Sequence, residues 1–339
     1  MIFERIRIIY NDDGPQRMNY KGEELVFGDV HDTAKSVSEA LEQKGFKTVF
    51  TPLRNENLDW FLKEVTGPGC DMVFNLCEGA FDKSALEMNV AALLELYGVR
   101  FTGNSALTLG VALNKGWAKA ILKSARVPTA SYVIADMPIS GLPQGLCFPL
   151  IVKPVSEDAS IGINADSVVS DGPSLERAVK RVLDNHKQSA IVEEYVEGRE
   201  FNVSVIGQGK DALPLPPSEI DFSNYPEGVA KVCGYEAKWI EKSPFYMATP
   251  PVCPANIPEE LKESLSSAAL RAYAALDCRD YARVDMRLAS DGGIRVLEVN
   301  PNPDVSADAG LARAAKAHGL GYADFIAEII GLAERRYKR

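Results

Sequence analysis

The chain has 339 residues, enough for two or three small domains around separate cores. Its 46% apolar and 25% charged composition is that of a water-soluble globular protein, and its formal net charge of −10 argues against a nucleic-acid binder, which needs a basic surface.

The opening reads strand, loop, helix, strand. RIRIIY is a short strand, VHDTAKSVSEALEQKG a helix ending at Gly45, and KTVFTPL a second strand. CDMVFNL is a third strand, and ALEMNVAALLELYG a helix closing at Gly98. This alternation predicts an α/β layer on a parallel sheet. No G-x-G-x-x-G follows the first strand, so there is no dinucleotide fingerprint. Next, TLGVALNKGWAKAILKSARVPTASYVI reads as one helix followed by a strand. FPLIVKPVSEDASIGINADSV reads strand, loop, strand; GPSLERAVKRVLDNH is an amphipathic helix; SAIVEEYVEGREFNVSVIG is strand, bend, strand. These make a small α+β unit. An irregular, proline-rich stretch runs from about Asp211 to Pro258. The helix PEELKESLSSAALRAYAALDC then leads into the hairpin ARVDMRLASDGGIRVLEVNPNPD, and the tail is helical. Boundaries near Leu109 and Val192 divide the chain into 1–109, 110–192 and 193–339.

The six cysteines form no C-x-x-C pair and are expected to be reduced thiols of a cytoplasmic protein. The three histidines form no H-E-x-x-H, so no histidine-based metal site is expected. MIFERIRIIYN has its apolar residues broken by Glu4, Arg5 and Arg7, unlike a signal peptide, and no apolar run approaches a membrane span.

The hairpin carries the chemistry. With Asp291 and Gly292 at the centre of its turn, Asp285 faces Glu298 and Arg283 faces Asn300. Period-two alternation places Ala282, Val284, Met286, Leu288, Leu297 and Val299 on the opposite, apolar face. Two facing carboxylates repel and need a cation. Two carboxylates and an amide suit a hard divalent ion such as Mg²⁺, which commonly shares its shell with substrate phosphates. Against this stands an ordinary solvated hairpin face, but Glu298 lies within the apolar run IRVLEVN. Lys153 sits late in the apolar strand FPLIVKPV, where a lysine needs an anionic partner. The small-residue loop SEDASIG follows, and its N–H groups could cradle phosphate. Lys115 shares its helix with Lys119 and Lys123 and alone would read as a surface lysine.

Together these segments resemble the ATP-grasp superfamily, most closely its D-alanine–D-alanine ligase branch. The similarity runs from about residue 70 to the C-terminus, through ELYGVRFTGNSALTLGVALNKGWAKAIL, FPLIVKPVSEDASIG, VEEYVEGREFNVSVIG, YEAKW, RAYAALDCRDYARVDMRL and LEVNPNP. It implies an ATP-grasp fold, α/β and α+β, behind an N-terminal Rossmann-like domain. It implies that Lys115 and Lys153 hold the ATP phosphates and that Lys238 reaches the γ-phosphate. Glu193, with the backbone of Tyr195 and Val196, would meet adenine, and Glu200 the ribose. Ser160 and Ile161 would lie on a loop closing over the phosphates. Asp285, Glu298 and Asn300 would bind two Mg²⁺ ions, or Mn²⁺ in their place, and Arg283 would steady the reacting carboxyl group. The implied reaction turns a small-molecule carboxylate into an acyl phosphate, which an amine attacks. No nucleic-acid or membrane partner is implied, and a homodimer is left open.

The sequence departs from the family pattern at its substrate contacts. The phosphate loop usually has two adjacent serines; here the first is Ala159. The tyrosine after the YEAK lysine is Trp239. The family's N-terminal substrate glutamate has no counterpart that can be matched in GDVHDTAKSV. T-x-P-G-M-T after the metal asparagine reads PNPDVSADAG, so Asp304 replaces a glycine and Asp308 or Ala309 falls near a carboxylate-anchoring serine. The usual H-G is Glu78–Gly79. Glu78, Trp239, Asp304 and Asp308 therefore suggest substrates other than two plain D-alanines. D-alanine–D-alanine ligase itself, and a kinase or cyclising synthetase without a separate amine, are the alternatives.

Overall fold

The structure, a computed structural model, describes residues 4–14, 17–20, 23–26 and 30–338. Met1–Phe3 of the opening segment and Gly28 and Asp29 of the GDVHDTAKSV stretch lie outside the described residues.

The N-terminal part holds β1 (Arg5–Asn11), β2 (Arg17–Tyr20), β3 (Glu23–Val26), α1 (Val30–Gln43), β4 (Lys47–Leu53), α2 (Leu58–Thr66), β5 (Met72–Asn75) and α3 (Glu87–Leu96). β1 lies between β4 and β5, parallel to both, as the alternation predicts. β2 and β3 form a hairpin within what reads as loop. The single predicted helix near residue 114 is two: α4 (Ala106–Leu113) and α5 (Lys115–Ser124). Asn114 separates them, leaving helical geometry and accepting the Trp117 N–H at 3.0 Å as an N-cap. This break aims Lys115 and Lys119 inward at the start of a new helix.

The central part holds β6 (Tyr132–Ala135), β7 (Leu150–Pro154), β8 (Val168–Val169), α6 (Gly172–His186) and β9 (Ala190–Glu194), with sheet order β6-β9-β7-β8, all antiparallel. α6 begins with the capping box of Asp171 and Ser174 and lays Leu175, Ala178, Val179 and Val182 on this sheet. The expected boundaries at residues 109 and 192 fall inside α4 and β9.

The C-terminal part holds β10 (Gly198–Ile206), β11 (Leu213–Pro214), β12 (Ser218–Ile220), α7 (Tyr235–Trp239), α8 (Pro244–Met247), β13 (Pro251–Val252), α9 (Glu259–Ala275), β14 (Tyr281–Ala289), β15 (Ile294–Asn300), α10 (Gly310–Ala317) and α11 (Tyr322–Tyr337). The sheet runs β13-β12-β10-β14-β15, with β11 also on β10. α9 packs Leu265, Ala268, Ala269, Ala272 and Tyr273 against Val203, Val205, Ala282, Val284, Met286, Val296 and Val299. α11 returns to the N-terminal part and packs with α1. With one face sealed by α9, the polar residues of β10, β14 and β15 share the other.

Gly198 opens β10 at φ +148°, and a Cβ there would meet the Leu288 carbonyl oxygen at 1.9 Å. Gly198→Ala should therefore cost about 2–4 kcal/mol of unfolding free energy, measured by urea denaturation.

Candidate functional site

The hairpin loop is longer than the sequence suggests. Ala289 and Gly293 close a three-residue loop, Ser290 to Gly292, with Gly292 at φ +77°. That shifts the pairing near the turn by one residue. A bulge at Leu297 then restores it: Met286 pairs with Val296, whereas Asp285 pairs with Glu298 and Arg283 with Asn300. The two acids do face each other. Leu297, expected on the apolar face, is taken up by the bulge and half-buried, and Val296 fills its place in the core.

Neighbouring strands complete the polar floor. Asn202 and Glu200 of β10 pair with Asp285 and Arg287 of β14. Asp285 accepts a forked contact from Arg283, at 2.7 and 2.9 Å, and one from Asn202 Nδ2 at 2.8 Å. Burial would raise the Glu298 carboxyl, but Lys115, Lys238, Lys153 and Arg283 together hold it down at about 2. Four cations thus surround two carboxylates, an excess of positive charge that a polyphosphate would neutralise. Burial works against the charge of Lys238, yet nearby Cys233, Glu298 and Asp285 raise its pKa. Lys115 donates to the Glu157 carbonyl. A small cavity is lined by Glu87, Lys115, Asp158, Glu298 and Asn300. A larger open groove of about 800 Å³, past Lys123, Arg126, Tyr132 and Ile134, includes none of these residues.

A second cluster lies on the central sheet. Glu193 Oε2 takes Lys119 at 3.1 Å and Lys153 at 3.3 Å, all three deeply buried. Lys119 also donates to Thr129 Oγ1 at 2.7 Å. One carboxylate serves two ammonium groups. Burial tends to raise Glu193, but its two cations pull it lower, whereas at Lys119 burial prevails and lowers the pKa. Glu193 faces both cations, and its charged form is the one the cluster favours. Its Oε1 is buried and has no hydrogen-bond partner among the described residues. Nearby, Arg287 places Nε and Nη2 on Glu200 Oε2 at 3.0 and 2.8 Å and Nη1 on the Val196 carbonyl at 2.8 Å, and stacks 5.1 Å from the Tyr195 ring. The Tyr195 N–H is engaged by the Pro149 carbonyl at 3.0 Å.

The phosphate loop is held against the irregular stretch. Ser160 Oγ donates to the Cys233 carbonyl at 3.1 Å, Trp239 Nε1 to the Ala159 carbonyl at 2.9 Å, and the Tyr235 N–H to the Ile163 carbonyl at 3.0 Å. Ala159 and Ser160 are both left-handed, at φ +54° and +61°. Ile161 beside them is exposed. Trp239 is therefore a loop clasp before it is a substrate contact.

Glu78 follows β5 at the cleft. It reaches solvent yet is surrounded by protein, which, with Asp304 and Asp158, pushes its carboxyl up to about 8. Asp304 also caps its own loop, accepting from Ser306 N and Oγ, each at 2.8 Å. Asp308 is exposed, and its backbone carbonyl accepts from Arg313. Glu78, Asp304 and Asp308 are all exposed; Asp304 is among the charges that act on Glu78, and Asp308 is not.

Four residues that sequence reasoning passed over belong here. Lys119 is one helical turn from Lys115. Asn202 and Arg287 continue the period-two polar faces of Glu200 and Asp285. Asn302 carried no local signal, since its partners are distant in sequence.

An ATP-grasp ligase is the class that this sheet pair, phosphate loop and acid hairpin define. The model of the D-ala D-ala ligase C-terminus matches residues 134–331. A D-alanine–D-alanine ligase of Marinomonas sp. is 31% identical over 86% of this chain and 87% of its own length. The uncharacterized protein y4sG of Sinorhizobium fredii is 35% identical over 78% of this chain and 75% of its own length. The crystal structure of D-alanine–D-alanine ligase from Bacillus anthracis complexed with ATP superposes with a TM-score of 0.74 at 23% identity, covering 99% of each chain. The chain belongs to the D-alanine–D-alanine ligase family, whose members are ADP-forming enzymes that make carbon–nitrogen bonds with ATP and Mg²⁺. Among the described residues no helix is long and apolar enough to cross a membrane.

Lys119→Met leaves Lys153 as the sole cation on Glu193 and should lower the unfolding free energy by about 3 kcal/mol at neutral pH. Because the folded state depresses Glu193, its contribution is present above the ordinary carboxylate pKa and lost as pH falls below it. The stability difference between wild type and variant should therefore shrink in acid, as denaturation at neutral and acid pH will measure.

Proposed function

We propose that this protein is an ATP- and Mg²⁺-dependent carboxylate–amine ligase acting on amino-acid-like substrates other than two plain D-alanines. The observation that carries the chemistry is the in-register pair Asp285–Glu298 within a ring of Lys115, Lys153, Lys238 and Arg283. The donor set is all oxygen, two carboxylates and one amide, which fits Mg²⁺, with Mn²⁺ as a substitute. Asp285, Glu298 and Asn300 are assigned to the metal, which when bound neutralises the transferring phosphoryl group.

The lysines bind and orient the ATP phosphates. Glu193 Oε1 accepts from the adenine amino group. The Val196 N–H and Tyr195 carbonyl border the base, and Glu200, steadied by Arg287, receives the ribose. Arg283 must leave Asp285 to reach the oxyanion of the reacting carboxyl group. Ser160, Ile161 and Trp239 close the loop that excludes water from the hydrolysable acyl phosphate. Glu298→Gln should keep the fold at neutral pH yet reduce ADP formation about 100-fold or more. Normal turnover in that variant would falsify the metal assignment.

The substrate reading rests on Glu78 and Asp304. Burial and then the nearby Asp304 and Asp158 disfavour the charge of Glu78, and a cationic group bound beside it relieves that penalty. We assign to this place an amine or guanidinium beyond the one that reacts, or a substrate end without a free carboxylate. Asp308 has weaker support, since it is not among the charges that act on Glu78. A phosphate-release screen with ATP over amino acids and small carboxylates identifies the substrate. Asp304→Asn should then raise its KM about five- to tenfold and leave the KM for ATP nearly unchanged. Efficient joining of two D-alanines would instead make this a D-alanine–D-alanine ligase with an unusual pocket.

A further inference from the structure

Asn302 follows the hairpin by two residues and joins three distant parts of the chain. Its Nδ2 donates to the Cys77 carbonyl at 3.0 Å and to Glu87 Oε1 at 2.8 Å. Its Oδ1 accepts from the Tyr281 hydroxyl at 3.3 Å. Both N–H donors and the carbonyl of the amide are engaged, so a flip would lose all three contacts. Its backbone N–H donates to Asn300 Oδ1 at 3.0 Å. That donor identifies the Asn300 atom as oxygen and leaves it a second lone pair.

Glu87 supplies the partner that fixes the amide. It is buried on α3, and burial pushes its carboxyl well above the usual range, outweighing the Asn302 hydrogen bond. Tyr281 is wholly buried, so the third partner is rigid as well. Cys77 precedes Glu78, so the same amide anchors the loop that carries the substrate acid.

We propose that Asn302 and Glu87 are positioning residues that fix the Asn300 carboxamide for a divalent cation and tie it to the Cys77–Glu78 loop. The proposal rests on the assignment of Asn300 to the metal. The test is Mn²⁺ binding to the full chain, followed by electron paramagnetic resonance with a non-hydrolysable ATP analogue present, alongside thermal denaturation. Asn300→Ala is the reference. Asn300→Ala, Asn302→Ala and Glu87→Leu should each weaken Mn²⁺ binding about 10-fold or more. Glu87→Gln, which keeps the acceptor oxygen, should stay within about twofold of wild type. A merely structural role would lower the melting temperature of Asn302→Ala without moving its Mn²⁺ affinity. Unchanged affinity in Asn302→Ala beside a weakened Asn300→Ala overturns the positioning role and leaves the metal assignment standing. Unchanged affinity in both overturns both. Equal losses in Glu87→Gln and Glu87→Leu overturn the part given to Glu87. Should Glu87→Leu fail to fold, Asn302→Ala and Glu87→Gln still decide.

Discussion

The repulsion between Asp285 and Glu298 is the constraint around which the rest is arranged. Like charges directly opposite each other on paired strands are destabilising unless compensated. Among the described residues the compensation is cationic: Arg283 forks onto Asp285, and three lysines converge on Glu298. The lysines come from α5, β7 and α7, so no single sheet could assemble the site. Bringing the central sheet and the irregular stretch over the hairpin is what makes the acid pair tolerable. The same convergence leaves an excess of positive charge facing the cleft, which is the electrostatic requirement for gripping a polyphosphate.

The hairpin was legible because its chemistry depends on parity more than on turn type. The sequence reading placed the turn centre between Asp291 and Gly292; the loop is in fact one residue longer, which alone would have set Asp285 against Leu297. The bulge at Leu297 compensates, so the facing acids are right and the apolar face is wrong at one position. Alternation cannot reveal such a pair of offsetting irregularities, because each needs knowledge of the partner strand. The helix break at Asn114 was readable in principle, since an asparagine before a lysine-rich turn is an N-cap signal. The β2–β3 hairpin was not, because its short strands lack a distinguishing apolar pattern.

Buried polar clusters mark the limit of sequence reading more sharply. Lys119 resembles a surface lysine until β9 presents Glu193 to it. Arg287 sits on the predicted polar face, yet its importance lies in holding Glu200 and the Val196 carbonyl, from a strand about ninety residues earlier. Glu87 reads as a helix N-terminal acid, an ordinary and favourable place for one. Only the fold shows it buried against Asn302. In each case the residue type was unremarkable and the partner supplied the meaning.

The substitutions at the phosphate loop and α7 form a linked change. Where the family pattern has a serine and a tyrosine, this chain has Ala159 and Trp239, and the indole N–H reaches the backbone carbonyl of Ala159 itself. A backbone acceptor is present whatever side chain occupies position 159, so the clasp survives loss of the serine hydroxyl. What is lost is the two hydroxyl groups of the family pattern. The contact between loop and α7 is thereby kept, while the two hydroxyls of the family pattern are gone. Carboxylates stand elsewhere in the same cleft, at Glu78 and Asp304, and among the described residues neither side chain has a salt-bridged cation. Acids left in that state are tolerable when an incoming ligand supplies the positive charge, which is why the charge of a ligand, more than its shape, is the property that this part of the cleft selects under the proposed reading.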